Sequence, residues 1–132
     1  MATHELSNIM LYIHPPLAIA GHVLIFIFTI FLILYDCKKE ITIKLLGTIA
    51  WVFTFSGLVT GMIWAQLSWG SYWTWDPKET MTLILFSTFS ISFLFFLENK
   101  YKITKWLSLF SCILVIITVS ISFVLSGLHS FI

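Results

Sequence analysis

The residues best suited to binding chemistry lie in the segment Trp69–Thr80, which reads WGSYWTWDPKET. It combines three tryptophans, a tyrosine and a lysine in twelve residues, and it lies between two long apolar stretches. Trp and Tyr are common at membrane interfaces. An interface belt does not account for so dense a cluster that also contains a glycine and an Asp-Pro pair. We therefore interpret residues 64–80 as a loop with a role beyond membrane anchoring.

This string resembles the tryptophan-rich signature of the haem-handling membrane proteins of cytochrome c biogenesis (CcsA, CcmF and CcmC). Its ending, WDPKET, is most similar to the CcsA branch. The resemblance implies that the ligand is haem, here non-covalently bound haem b, and that the chain acts in cytochrome c assembly. It also implies apocytochrome c and other membrane subunits as partners.

Composition places the elements that carry this loop in a lipid bilayer. Hydrophobic residues make up 59% of the chain and charged residues 10%, whereas soluble domains carry about 25% charged residues. A membrane-spanning helix needs roughly 20 apolar residues. Four stretches meet that length, and the first is expected to be a spanning helix and not a cleaved leader. The spans are approximately Pro15–Tyr35, Leu45–Leu67, Thr80–Leu97 and Trp106–Leu128.

The lysines predict the orientation, since the chain contains no arginine. Six of the seven basic residues lie between spans one and two or between spans three and four. Only Lys78 lies in the tryptophan-rich loop. The positive-inside rule therefore places both lysine loops in the cytoplasm or its equivalent. The N-terminus, the tryptophan-rich loop and the C-terminus are then expected on the outer side of a plasma or organellar inner membrane.

Two histidines are expected to meet at the outer rim of the bundle. His14 precedes Pro15-Pro16, and proline is well tolerated in the first turn of a helix. His129 follows Gly127, which can end the fourth span with a left-handed cap. Imidazole is a common axial ligand of haem iron, so these two rings can hold the iron from opposite sides. The alternative is a pair of unrelated interfacial histidines, which their convergence on the tryptophan-rich loop disfavours.

The family comparison points to the same pair. The segment IHPPLAIAGH resembles the first external histidine segment of the family, closest in its His-Pro-Pro to CcmF. The segment LSGLHSF resembles the second external histidine segment of CcsA. By that resemblance His14 and His129 are the axial ligands of the iron. Family members have further spans and buried histidines, so the chain is interpreted as a minimal member, a piece of a split protein, or a subunit of a larger assembly.

His22 is an additional candidate for the haem site. It follows His14 by eight residues, which is about 12 Å deeper in the first span at about 1.5 Å per helical residue. An ionisable residue at that depth is a functional candidate. It can equally be a neutral histidine that is hydrogen-bonded to a neighbouring helix, and the sequence leaves both interpretations open.

The segment Asp76-Pro77-Lys78-Glu79 predicts a helix start. Asp is a preferred N-cap, Pro suits the first helical position, and Glu three residues after the cap completes a capping box. A helix N-terminus with Lys78 beside it also attracts anions, and haem carries two propionates. The candidate haem-binding residues are His14, His129, Trp69, Tyr72, Trp73, Trp75, Asp76 and Lys78, with His22 as the additional candidate.

The aromatic pairing within this segment depends on its conformation. Trp69 and Trp73 share a face if the segment is helical, whereas Trp73 and Trp75 share a face if it is extended. Either pair can flank the edge of a porphyrin.

Two helix faces are interpreted as packing surfaces. Gly57 and Gly61 form a GxxxG pair in the second span, which allows close approach of another helix. The fourth span carries a weakly polar face at mostly three- or four-residue spacing, comprising Ser108, Ser111, Thr118, Ser122 and Ser126. Cys37 and Cys112 fit no metal or redox motif, and the geometry of a disulfide between them is unfavourable.

We predict one all-α domain over residues 1–132, a polytopic bundle of four transmembrane helices that binds one haem b at its outer face. The function is haem presentation to an apocytochrome or transfer to a chaperone, within or beside a holocytochrome c synthetase system. No catalytic residue is assigned, and no nucleic acid is expected as a partner. The alternatives are a b-type cytochrome membrane anchor, which usually places facing histidine ligands inside the span, or a structural subunit of the family that has lost haem.

Overall fold

The computed structural model describes residues 10–124, with side chains at residues 12–121 except for 37, 68 and 69. Its elements are α1 (Met10–Tyr35), a short 3-10 turn (Asp36–Lys39), α2 (Glu40–Trp69), α3 (Pro77–Leu97) and α4 (Tyr101–Val124). All four α-helices are long and apolar enough to cross a membrane. The prediction of an all-α polytopic bundle with four spans is therefore confirmed. Many large aliphatic side chains point outward, as expected for surfaces that face lipid.

Helices α1 and α2 pack as an antiparallel pair along most of their length. A β-carbon added at Gly61 would meet His14, one at Gly57 would meet Ala18, and one at Gly21 would meet Thr54. Residue numbers thus fall along α2 as they rise along α1. The GxxxG glycines bring the two backbones close together, as predicted for a small-residue helix interface.

The second helix pair is joined by polar contacts between small side chains. Ser92 on α3 lies 2.7 Å from the hydroxyl of Ser108 on α4, and it also donates to the carbonyl oxygen of Thr104. The predicted weakly polar face of α4 is buried at Ser108, Ser111 and Thr118. Its remaining two serines, Ser122 and Ser126, have side chains outside the described residues.

A cluster of aliphatic and aromatic side chains fills the centre of the bundle. Phe28 on α1 is fully buried and makes edge contacts with the rings of Phe89, Phe93 and Phe96 on α3. Cys112 on α4 is buried and donates to the hydroxyl of Thr29 on α1. These contacts hold α1, α3 and α4 together. They lie away from the end of the bundle that carries the tryptophan-rich loop.

The two lysine-bearing connections lie at the same end of the bundle. Lys105, near the start of α4, forms an ion pair of 3.2 Å with Asp36 in the turn after α1. The tryptophan-rich connection between α2 and α3 lies at the opposite end, with the first turns of α1.

Several helix ends differ from the sequence-based expectation. Helix α1 begins at Met10, so Pro15 and Pro16 lie inside it and not in its first turn. The two prolines lack N–H groups, so only carbonyl groups near the helix start lose their hydrogen-bond donors. The apolar residues before the prolines extend the helix. Helix α2 continues to Trp69, so the non-helical loop comprises only residues 70–76. The predicted end of the fourth span at Gly127 lies outside the described residues.

Candidate functional site

The tryptophan-rich loop is built by two helix caps. Gly70 ends α2 in a left-handed conformation with φ of 81°, and its N–H donates to the carbonyl of Gln66 at 3.0 Å. Asp76 starts α3: its carboxylate accepts from the Glu79 N–H at 2.8 Å, and the predicted capping box is present. The chain therefore leaves one helix and enters the next within the short segment that holds Tyr72, Trp73 and Trp75.

The Glu79 carboxylate fixes the shape of this loop. It is 6% exposed. Its Oε1 accepts from the backbone N–H of Thr74 at 2.8 Å, from the Thr74 hydroxyl at 3.2 Å and from the Asp76 N–H at 3.4 Å. Between these anchors Trp75 adopts a positive φ of 59°, which is unfavourable for a bulky residue. The carboxylate thus holds a conformation that the backbone would not prefer.

Two tryptophans of the loop are in contact with each other. The Trp73 and Trp75 rings meet edge to face with centroids 5.5 Å apart, a favourable geometry for aromatic pairs. The Trp75 ring is 66% exposed, whereas the indole nitrogen of Trp73 is buried. Of the two pairings that the sequence allowed, the Trp73–Trp75 pair is present, and the side chain of Trp69 lies outside the described residues.

His14 is held against α2 by a specific set of contacts. Its Nδ1 lies 2.9 Å from the carbonyl oxygen of Gly57 and 3.2 Å from the Thr60 hydroxyl. Its ring lies 5.5 Å from that of Trp64 and covers Gly61, where a β-carbon would come within 2.9 Å of Cε1. The side chain is 7% exposed. Because a carbonyl oxygen only accepts hydrogen bonds, Nδ1 carries the proton, and Nε2 holds the lone pair in the neutral ring.

A cavity lies between α1, α2, the tryptophan-rich loop and the start of α3. The space unfilled by protein is about 590 Å³, a figure that includes the open space at the mouth of the cavity. Its walls are mostly apolar. The lining residues are His14, Ala18, His22, Thr54, Gly57, Leu58, Gly61, Met62, Tyr72, Trp73, Lys78, Glu79 and Thr82.

Three polar atoms in the cavity wall are buried without a hydrogen-bond partner in the described part of the chain. They are Nδ1 of His22, Nε1 of Trp73 and Nζ of Lys78. Lys78 is the second residue of α3, and its side chain is only 9% exposed. Burying a polar group without a partner is costly, so these atoms indicate a ligand with acceptor groups. The donor set suits the carboxylates of haem, and the aromatic walls suit its macrocycle.

The structure brings together five of the predicted site residues: His14, His22, Tyr72, Trp73 and Lys78 all line the cavity. Trp75 and Asp76 do not line it. Trp75 packs on the outer side of Trp73, and Asp76 serves as the helix cap. His129 lies outside the described residues.

Sequence reasoning missed the part of the site that α2 supplies. Trp64 is fully buried and contacts His14, and Gly57, Thr60 and Gly61 form the seat of the imidazole. The GxxxG spacing was the available signal, because it marks a face on which another helix approaches closely. It did not reveal that part of that face receives a histidine ring.

Comparisons with known proteins identify the family to which the chain is similar. The model of a family described as cytochrome C assembly protein matches residues 1–129. A protein named cytochrome c biogenesis protein CcsA from Citrus sinensis is 39% identical over 59 residues, which cover 45% of this chain and 17% of that relative. Its namesake from Manihot esculenta is 46% identical over 46 residues, which cover 35% of this chain and 14% of the relative.

The aligned segments are short relative to those proteins. The namesake from Gossypium barbadense is 44% identical over 46 residues, again 14% of its length. The matched segments therefore span less than a fifth of the curated relatives. No solved structure is detectably similar to the chain.

Proposed function

We propose that this chain, which belongs to the cytochrome c assembly protein family, binds one haem b non-covalently beside the tryptophan-rich loop and presents it for cytochrome c assembly. Bound haem would supply vinyl groups as acceptors for the thiols of an apocytochrome and an iron whose reduced state favours their attachment. The chain's own contribution is ligation, orientation and exclusion of water.

The observation that carries this proposal is the hydrogen bond from His14 Nδ1 to the Gly57 carbonyl oxygen. Metal-bound histidines almost always donate their second ring N–H to a carboxylate, a backbone carbonyl or water, which fixes the tautomer and raises the basicity of the ligating nitrogen. With Nδ1 committed in this way, Nε2 is the nitrogen suited to the iron. Gly61 and Trp64 hold the ring plane, so the ligand is oriented before haem arrives.

The loop supports the proposal through its rigidity. Glu79 anchors Thr74 and Asp76, and Trp73, which directly precedes Thr74, lines the cavity. An aromatic wall fixed in this way offers apolar surface to a flat macrocycle without further ordering, and burial of apolar surface is worth about 25 cal/mol per Å². The site is therefore organised before the ligand binds.

His129 is the proposed second axial ligand. Helix α4 runs from the lysine-bearing end of the bundle to Val124, so its C-terminal end is directed toward the end that carries His14. His129 follows Val124 by five residues. Two imidazole ligands would hold the iron of a bound haem in a low-spin state.

The site is proposed to lie on the outer side of the membrane. The lysine-bearing turns share one end of the bundle, as the ion pair between Asp36 and Lys105 illustrates, and the positive-inside rule assigns that end to the cytoplasm or its equivalent. The opposite end then faces the compartment in which an apocytochrome and partner subunits of the assembly system would meet the haem.

The direct test is haem occupancy of the full chain purified from membranes. A pyridine haemochrome assay should detect haem b in the unaltered protein. His14→Ala and His129→Ala should each lower occupancy and change the low-spin spectrum, and added imidazole should partly restore both. His4→Ala is the matched control and should behave as the unaltered chain. Full occupancy with an unchanged Soret band in the doubly substituted protein would exclude the histidine pair as ligands.

A further inference from the structure

Three unpartnered polar atoms of the cavity come from three different elements. His22 belongs to α1, Trp73 to the loop and Lys78 to α3, and none of these atoms forms a hydrogen bond with a described residue. His22, Trp73 and Lys78 all line the same cavity. Buried polar groups in folded proteins are nearly always hydrogen-bonded. Because all three atoms face one cavity, they indicate a ligand group that forms hydrogen bonds with all three.

The chemistry of these atoms selects an anion. Lys78 Nζ carries a positive charge and donates only, the indole N–H of Trp73 donates only, and Nδ1 of His22 can donate. Lys78 also lies in the first turn of α3, where the helix dipole favours negative charge. Two independent observations, a helix N-terminus and a lysine that is nine-tenths buried against the cavity, thus point to the same kind of ligand.

The protein's own carboxylates near the cavity are committed elsewhere. Glu79 accepts from Thr74 and from the Asp76 N–H, and Asp76 accepts from the Glu79 N–H. Lys78 Nζ itself has no hydrogen-bond partner among the described residues. A ligand that carries an anionic group can therefore supply the acceptor that Lys78 lacks.

We propose that the inner part of this cavity is a carboxylate subsite, in which Lys78 and Trp73 hold one propionate of the bound haem and His22 supplies a third hydrogen bond. This inference rests on the proposed function and deepens it. It assigns His22 to the carboxylate and not to the iron. Since the propionates and the vinyl groups lie on different edges of haem, burying a propionate directs the vinyl groups outward, toward an approaching apocytochrome.

The test compares haem with its dimethyl ester, in which both carboxylates are blocked while the iron and macrocycle are unchanged. The full chain in detergent is titrated with each compound, and the Soret shift gives the dissociation constants. The unaltered chain should prefer haem by about tenfold or more, since a charge-assisted hydrogen bond to a buried lysine is lost in the ester. Lys78→Met should weaken haem binding by a similar factor and leave ester binding unchanged.

His22→Leu should reduce the preference for haem while leaving the Soret position of the bound form unchanged. Lys102→Met, at an exposed position in α4, is the matched control and should keep the full preference. Equal affinity of the unaltered chain for haem and ester would overturn the subsite and leave the haem site standing. Failure to bind either compound would overturn the proposed function and the subsite together. A changed Soret position in His22→Leu would assign His22 to the iron and overturn its role here.

Discussion

The imidazole of His14 packs against Gly61, at a place where a β-carbon would come within 2.9 Å of its Cε1. The glycine therefore does more than allow two helices to approach. Gly61 provides the surface against which the ring packs. The hydrogen bond to the Gly57 carbonyl oxygen, one turn earlier in α2, fixes the rotation of the ring.

Replacing Gly61 by alanine should displace the His14 ring. The added methyl group would clash with Cε1, and overpacking of a tight interface costs about 1–3 kcal/mol. We expect lower thermal stability together with a changed haem spectrum, measured by thermal unfolding and by the Soret band. Gly21→Ala is the matched control, because its β-carbon would meet Thr54 at the same helix interface. The Gly21→Ala variant should have lower thermal stability but an unchanged haem spectrum. An identical spectral change in both variants would contradict the proposal that Gly61 positions the His14 ring.

How far the sequence predicts this structure depends on how local each signal is. The four spans follow from runs of apolar residues, and the start of α3 follows from Asp76, Pro77 and Glu79, since a capping box is a contact between residues three apart. The seat of His14 could not be predicted. It joins residues separated by 43 positions, and no local pattern states which α2 residue will face which α1 residue.

At the start of α1, the preference of proline for the first turn of a helix did not decide where the helix begins. Pro15 and Pro16 favour a helix start, but the apolar residues before them extend the helix to Met10. The cavity likewise could not be predicted, because the sequence marks Lys78 as a candidate haem-binding residue without showing that its side chain is buried. Only the packing of α3 against α1 and α2 shows that its side chain is buried.

Glu79→Ala should loosen the tryptophan-rich loop, because one carboxylate oxygen accepts from both Thr74 groups and from the Asp76 N–H. Loss of these bonds is expected to cost about 1–3 kcal/mol and to release the positive φ of Trp75. The coupled near-ultraviolet circular dichroism of Trp73 and Trp75 should diminish. Glu79→Gln keeps the carbonyl oxygen and should retain most of the signal. If both variants lost it equally, the negative charge and not the hydrogen bonding would hold the loop.

Trp73→Ala should weaken haem retention much more than Trp75→Ala. Trp73 lines the cavity, whereas Trp75 does not line it, is two-thirds exposed and makes an edge contact with the Trp73 ring. Haem retained through gel filtration and the spectrum of the remaining bound fraction are the measurements, and that spectrum should stay low-spin because both iron ligands are unchanged. Trp106→Ala, with 68% exposure against 66% for Trp75, is the control. Equal retention in Trp73→Ala and Trp106→Ala would make the loop a docking surface and not a wall of the haem site.

Labelling of single cysteines should place Ser71 and Asn99 on opposite sides of the membrane. In a background with Cys37 and Cys112 replaced, Ser71→Cys should react with an impermeant maleimide added from the outer side. Asn99→Cys, in the lysine-bearing connection between α3 and α4, should react only after permeabilisation. The six-to-one distribution of lysines motivates this orientation. Reaction of both positions from one side would contradict the antiparallel bundle, and the reverse pattern would invert the proposed orientation.

Lys78→Met should stabilise the haem-free chain. In the free protein the ammonium is buried without a hydrogen bond to any described residue, and an uncompensated buried charge is destabilising. Methionine keeps a similar length and removes the charge, so the free energy of unfolding should rise by about 1–3 kcal/mol, in the range of the desolvation cost of an unsatisfied buried group. Thermal unfolding of the haem-free protein measures the change, and Lys102→Met should leave the midpoint nearly unaltered. With haem added, the order should reverse, because the unaltered chain then gains a partner for Lys78 that the variant cannot use. A lower midpoint for Lys78→Met without haem would mean that the lysine already has a stabilising partner within the chain.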